Sequence, residues 1–374
     1  MRALIRNSKE KKVLNLSEYY LTKDNKMFYL PQINGNKTSV FIIIFMFIVI
    51  IPATAIIMLT ITTNNPVYGQ QDKTGFNVTD SSNIQSIPAK KVQAGDIDIA
   101  YKMLGKGDHI LLFNGASDVM DGWDPSFPMT LSSNHTVIAF DFRGLGNTTM
   151  GSKPYTSQQL ANDAAGLLDA LKIPKADVMG YSLGSWIAQQ LTIMYPDKVN
   201  TLTLVGSSCG GKDHTPKPPE FLKLMSEVVN KSLNNVSTSQ EEMKAFVTAS
   251  LGSGWIKLHP ESIENIPTDM QQAKPGLSPE AMNNQMNVGK EWEDNPNWSG
   301  ACDELAKLVK PTLVITGTDD NMYMPHVNSL KIVEKIPGAW LVQIKNAGHA
   351  VMDQYPEEIG KILNTFLSTT AQSN

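Results

Sequence analysis

The chain has 374 residues, 41% of them hydrophobic and 18% charged, which excludes a disordered polymer and allows one large α/β domain with an insertion. Net charge is −4, but residues 1–39 hold eight Lys/Arg against three Asp/Glu, leaving −9 on the remainder. A body of that charge has no basic stripe to neutralise phosphates, so a nucleic-acid partner is excluded, and without a P-loop, HExxH or CxxC pattern no metal or cofactor is implied.

The basic segment 1–39 leads into "VFIIIFMFIVIIPATAIIMLTI", Val40 to Ile61. These 22 uncharged residues would extend about 33 Å as a helix, enough for a bilayer core. The positive-inside rule puts the basic flank in the cytoplasm and everything after Ile61 outside, as a single-pass protein of the cell membrane. A cleaved signal segment, with "VYG" at 67–69 near the cleavage point, is the alternative and gives a secreted body. Residues 62–90 are polar and read as a tether. Sequons at Asn77, Asn134, Asn147, Asn230, Asn235 and Asn297 are compatible with an external body, although the chain is rich in Asn throughout.

From Lys91 the texture changes. "KVQAGDIDIAYKML" alternates about a Gly-Asp turn and predicts a hairpin. Six apolar runs follow, at 109–115, 135–142, 176–182, 199–208, 311–317 and 339–346. They are too uniformly apolar to alternate, as expected of parallel strands covered on both faces. Helical patterns separate them. "TSQQLANDAAGLLDALKI" opens with a capping-box pattern from Thr156 to Gln159, "LGSWIAQQLTIMY" follows Ser182, and "HVNSLKIVEKI" and "PEEIGKILNTFLST" complete the series. Alternating β and α elements predict a doubly wound, mostly parallel sheet over 91–374. From about 210 to 300 the alternation lapses into Met-rich amphipathic stretches, which read as a helical insertion between two strands. Cys209 and Cys302 flank it. Two separate buried thiols are the plain expectation, and pairing in an oxidising compartment is the alternative.

In "GYSLG" a serine stands between glycines where an apolar strand meets a helix. Such a turn exposes the Ser182 hydroxyl and aims the first helical N–H groups at a reacting oxygen. A working serine also needs an acid and a base, in the order Ser, Asp/Glu, His, after later strands. "PTLVITGTDD" presents Asp319 and Asp320 at a strand end, and "AWLVQIKNAGHA" presents His349. The other histidines have no such context. "RGLGNT" half matches a dinucleotide fingerprint, but Thr149 replaces the third Gly and Asp163 falls inside a helix.

With "DFRGLGNT", "GYSLGS", "PTLVITGTDD" and "NAGHAVMDQYPEE" in hand, the chain from Lys91 onward resembles the α/β-hydrolase superfamily in its cap-bearing esterase- and C–C-hydrolase-like branch. The resemblance implies a Ser182–His349–Asp320 triad, with Asp319 as the other candidate acid, and an oxyanion hole from the Ala116 and Leu183 N–H groups. Two departures stand out: Asn114 occupies the usual His position of "FNGAS", and the acid loop is one residue longer than usual before Pro325. The expectation is a serine hydrolase acting on small, fairly apolar acyl substrates, with C–C hydrolase, aminopeptidase, thioesterase and perhydrolase activities open. The alternative from another class is a non-catalytic ligand-binding member of the fold.

Overall fold

The computed structural model describes residues 83–371, apart from 235, 265, 267–277 and 296, together with four short backbone strands nearer the N-terminus. The candidate span Val40–Ile61 and the tether up to residue 82 lie outside the described residues. Among the described residues no helix is long and apolar enough to cross a membrane.

Eight strands build the body of the sheet: β1 (Lys90–Ala94), β2 (Ile97–Gly105), β3 (Asp108–Phe113), β4 (His135–Phe140), β5 (Ala176–Tyr181), β6 (Val199–Val205), β7 (Thr312–Gly317) and β8 (Trp340–Ile344). Their spatial order is β1-β2-β4-β3-β5-β6-β7-β8. The expected hairpin is β1-β2, and β2 also runs antiparallel to β4; every later pairing is parallel. At the far edge the strand Arg2–Asn7 lies antiparallel on β8 and pairs in turn with Glu10–Asn15. Tyr19–Leu21 and Met27–Tyr29 pair with each other in a separate unit, Glu18–Asp80.

The helices α1 (Ser126–Ser132), α2 (Ser157–Ala170), α3 (Leu183–Met194), α4 (Pro219–Leu233), α5 (Gln240–Leu251), α6 (Ser253–Leu258), α7 (Pro279–Glu293), α8 (Cys302–Leu308), α9 (Val327–Lys335), α10 (Val351–Gln354) and α11 (Pro356–Ala371) complete the chain. The uniform apolarity of the central strands has a direct cause. Along β3, Leu111 and Phe113 enter the core shared with α2 and α3, while Ile110 and Leu112 enter a second core shared with α1 and α11. Both faces are covered, so neither parity can be polar.

Helices α4 to α7 form the insertion between β6 and β7, a cap with no strand among its described residues. Its two ends meet because β6 and β7 are neighbours. The Ala301 N–H donates to the Cys209 carbonyl at 2.8 Å, and Cys209 and Cys302 form a disulfide with Cα atoms 5.2 Å apart. The expectation of separate thiols is therefore corrected: adjacent parallel strands bring together two residues 93 positions apart in sequence. At the start of α2, Thr156 caps the Gln159 N–H as its spacing predicts, but the Gln159 amide donates to Asp163.

Candidate active site

Ser182 sits between β5 and α3 with φ 52° and ψ −122°, a left-handed conformation that costs a non-glycine residue about 1–3 kcal/mol. Its own N–H is tied to the Val205 carbonyl of β6 at 2.9 Å. The flanking glycines are required by close approach. A Cβ on Gly180 would stand 2.3 Å from the Gly184 carbonyl oxygen, and one on Gly184 would stand 2.3 Å from the carbonyl oxygens of Phe113 and Asn114. The start of α3 therefore rests on the end of β3, two residues before Ala116. That contact joins the two backbone segments which the sequence singled out as anion donors. Among the described residues, neither the Leu183 N–H nor the Ala116 N–H has a hydrogen-bond partner.

His349 follows β8 and bridges to both other members. Its Nδ1 lies 2.7 Å from Asp320 Oδ2 and its Nε2 lies 2.9 Å from Ser182 Oγ. A carboxylate only accepts, so Nδ1–H donates to Asp320 and the Nε2 lone pair is left to accept from the serine hydroxyl. Asp320 is fully buried, and its other oxygen, Oδ1, accepts the Met324 N–H at 2.9 Å. Each carboxylate oxygen is thus engaged and the carboxyl plane is fixed.

The imidazole is enclosed by groups that the sequence did not single out. Gly206, with φ +56°, follows β6; a Cβ there would approach His349 Cε1 to 3.0 Å and crowd the ring, and the positive φ itself favours glycine. The Tyr323 ring stacks on the imidazole with centroids 5.1 Å apart and planes 6° apart, and Tyr181 lies at 5.4 Å. Burial pushes both phenols well above their usual range, and the Tyr181 hydroxyl donates to the His349 carbonyl. Tyr323 belongs to the lengthened acid loop and packs on Phe221 and Phe246, carrying the aromatic face of the cap down to the imidazole. A strand-final "VGSS" with a glycine could have flagged Gly206. Nothing in the sequence marks Tyr323.

The remaining candidates have other partners. Asp319 Oδ2 accepts the Gly254 N–H at 2.7 Å, a tie to the cap. Asn114, at the usual histidine position, is buried and its amide donates to the Val119 carbonyl, closing the loop that carries Ala116. His326 Nδ1 lies 3.1 Å from Asn321 Oδ1, at the head of α9. In the "RGLGNT" segment Arg143 is fully buried and holds both oxygens of Asp163, at 2.6 and 2.7 Å. The acidic residue that mimicked a ribose ligand is the partner of a structural guanidinium.

The sequence matches the family described as the alpha/beta hydrolase fold over residues 108–356. Among its relatives, a poly(3-hydroxyalkanoate) depolymerase of Ectopseudomonas oleovorans is 28% identical, over 70% of this chain and 85% of that protein. A 2-hydroxy-6-oxononadienedioate/2-hydroxy-6-oxononatrienedioate hydrolase of a Pseudomonas species is 25% identical, over 71% of this chain and 89% of the relative. In three dimensions the chain is similar to a thermophilic esterase from Thermogutta terrifontis, with a TM-score of 0.61 and 24% identity, over 76% of this chain and 99% of the other. With eight of its strands in the order described and two thirds of its length inside the family match, the chain belongs to the alpha/beta-hydrolase fold family and is a hydrolase.

Proposed function

We propose that this hydrolase cleaves ester or related acyl bonds of small, fairly apolar substrates through an acyl-enzyme on Ser182. The observation that carries the reading is the double bridge made by His349, 2.9 Å to Ser182 Oγ and 2.7 Å to Asp320 Oδ2. Asp320 holds the imidazole in the tautomer whose Nε2 accepts a proton, and stabilises the imidazolium once it forms. Ser182 Oγ attacks the acyl carbon as its proton passes to Nε2. The resulting oxyanion is received by the Ala116 and Leu183 N–H groups, each donor of this kind being worth about 3–4 kcal/mol of barrier. His349 then protonates the leaving group, and in the second half-reaction takes a proton from water as the acyl group is released.

The aromatic neighbourhood of Tyr323, Phe221 and Phe246 favours an apolar acyl or leaving group. The depolymerase relative, whose named substrate is a polyester, points to the same bond class. A C–C bond cleaved by the same residues is the second reading, favoured by the oxononadienedioate hydrolase relative. Incubation with a fluorophosphonate probe tests the nucleophile. Wild-type protein is expected to label on Ser182 and to hydrolyse short acyl esters, and Ser182→Ala to do neither. A folded wild-type protein that neither labels nor turns over esters would leave the ligand-binding alternative in its place.

We also propose that the body works outside the cytoplasm, with Val40–Ile61 as membrane anchor or, alternatively, as a signal segment. The Cys209–Cys302 disulfide supports this, because such bonds persist in oxidising compartments. The pairing of Arg2–Asn7 with β8 is a competing arrangement, since a single pass at 40–61 would separate those two strands by a bilayer. Protease shaving of intact cells distinguishes them: loss of the 91–374 body supports export, and full protection overturns it.

A further inference from the structure

The turn that carries Ala116 is held from two sides. Its local supports are the Asn114 amide on the Val119 carbonyl and the Asp118 N–H on the Gly115 carbonyl at 3.4 Å. The other support comes from the cap. Gln285, on α7 and only 3% exposed, accepts the Ser117 N–H on its Oε1 at 2.7 Å. Ser117 is in the left-handed region, with φ 66°, which costs a non-glycine residue about 1–3 kcal/mol unless its surroundings hold it there. The acceptor that helps hold it is this side-chain carbonyl, 168 positions away in the sequence.

The consequence reaches the neighbouring peptide. The Ser117 N–H belongs to the peptide joining residues 116 and 117, and the Ala116 N–H to the one before it. If the first loses its acceptor, the strained turn relaxes, and because Ala116 is shared by the two peptides, the relaxation extends to Gly115 ψ and Ala116 φ, the two torsions that set the direction of the Ala116 N–H. Oxyanion stabilisation depends on that direction far more than substrate binding does. Gln285 is also fixed in its own orientation, because only its oxygen can receive an N–H. Its side-chain amide also interacts with the buried Tyr155 hydroxyl.

Resting on the reading of Ser182 as nucleophile and Ala116 as oxyanion donor, we infer that Gln285 is a positioning residue that sets the oxyanion turn from the cap. The anion site is then complete only when α7 is seated, which makes the cap a working part of the catalytic step in addition to a wall of the pocket.

Steady-state hydrolysis of p-nitrophenyl butyrate by full-length protein, with labelling rates for a fluorophosphonate, tests this on two variants. Gln285→Met keeps the length and removes the acceptor; Gln285→Glu keeps an acceptor oxygen whether or not it is protonated. Gln285→Met is expected to lower kcat and the labelling rate at least tenfold with KM within about twofold, and Gln285→Glu to retain at least a third of wild-type kcat. Wild-type kcat in Gln285→Met, a change confined to KM, or an equal loss in Gln285→Glu overturns the inference. Should Gln285→Met fail to fold, Gln285→Asn replaces it. Asn is one methylene short of Ser117, so the same loss is expected, and wild-type kcat in that variant overturns the inference equally. A wild-type protein that does not label, or a Ser182→Ala variant that still turns over, would instead sink the underlying reading.

Discussion

The strand ends and the cap place side chains by different means. At the carboxyl ends of β5, β6, β7 and β8 the backbone does the positioning: a left-handed Ser182, glycines at 180 and 184 where any Cβ would collide and at 206 where one would crowd the imidazole, and loops tied to neighbouring strands. The cap reaches the same loops from the opposite side. The Ala350 N–H donates to the Ser250 carbonyl and the Gln354 amide to the Leu251 carbonyl, which docks the end of α5 on the His349 loop. Gly254 meets Asp319 beside Asp320, and Gln285 meets Ser117 beside Ala116. Each of these loops is therefore supported twice, once by a rigid sheet and once by a helical lobe. The sheet fixes which groups meet, and the cap tunes how well they are aimed.

The largest expected effect falls on the sheet side. Asp320→Asn leaves the shape of the loop but presents an amide to His349 Nδ1, favouring the wrong tautomer. The comparable change in a serine-protease triad lowers kcat about 10⁴-fold. A loss of about 10³–10⁴-fold in kcat on a short acyl ester is expected, with the thermal midpoint little changed. Activity within tenfold of wild type would mean that the strand ends do not set the chemistry.

How far each region could be read from the sequence follows the same division. Ser182, Asp320 and His349 were legible because strand-to-loop junctions carry local signatures: apolar runs, flanking glycines and a fixed chain order. Asp320 and Asp319 could not be separated by spacing alone, since adjacent residues in a loop of unusual length differ only in the direction they face. Gln285, Tyr323 and Ser250 were illegible because each acts on a loop more than 25 sequence positions away, and an amide or phenol in a helical stretch or loop has no local pattern. The disulfide was misjudged for a related reason. Its geometry depends on β6 lying beside β7, a fact of topology and not of spacing.

The second effect tests how firmly the cap is attached. Replacing Cys209 and Cys302 together by alanine opens a loop of 93 residues. Chain entropy alone puts the loss at about 4–5 kcal/mol, read as a lower urea midpoint. Because the bond closes the base of the cap, indole fluorescence from Trp292 and Trp298 is expected to change at lower urea than the far-ultraviolet signal of the sheet. An unchanged midpoint with coincident transitions would show that packing of α7 and α8 on α3 holds the cap without the bond.

The smallest effect separates the neighbouring acids. Asp319→Ala removes the acceptor of the Gly254 N–H and so loosens the start of α6 from the acid loop. A hydrogen bond to a half-buried carboxylate contributes about 1–2 kcal/mol, so a modest fall in stability is expected with kcat within tenfold of wild type. Asp319 is one residue from Asp320, and this contrast is the narrowest available test of position against proximity. If Asp319→Ala abolished turnover while Asp320→Asn preserved it, the imidazole in the working enzyme would have to change partners. The cap would then be moving the acid loop, and the sheet would no longer be the region that decides which groups meet.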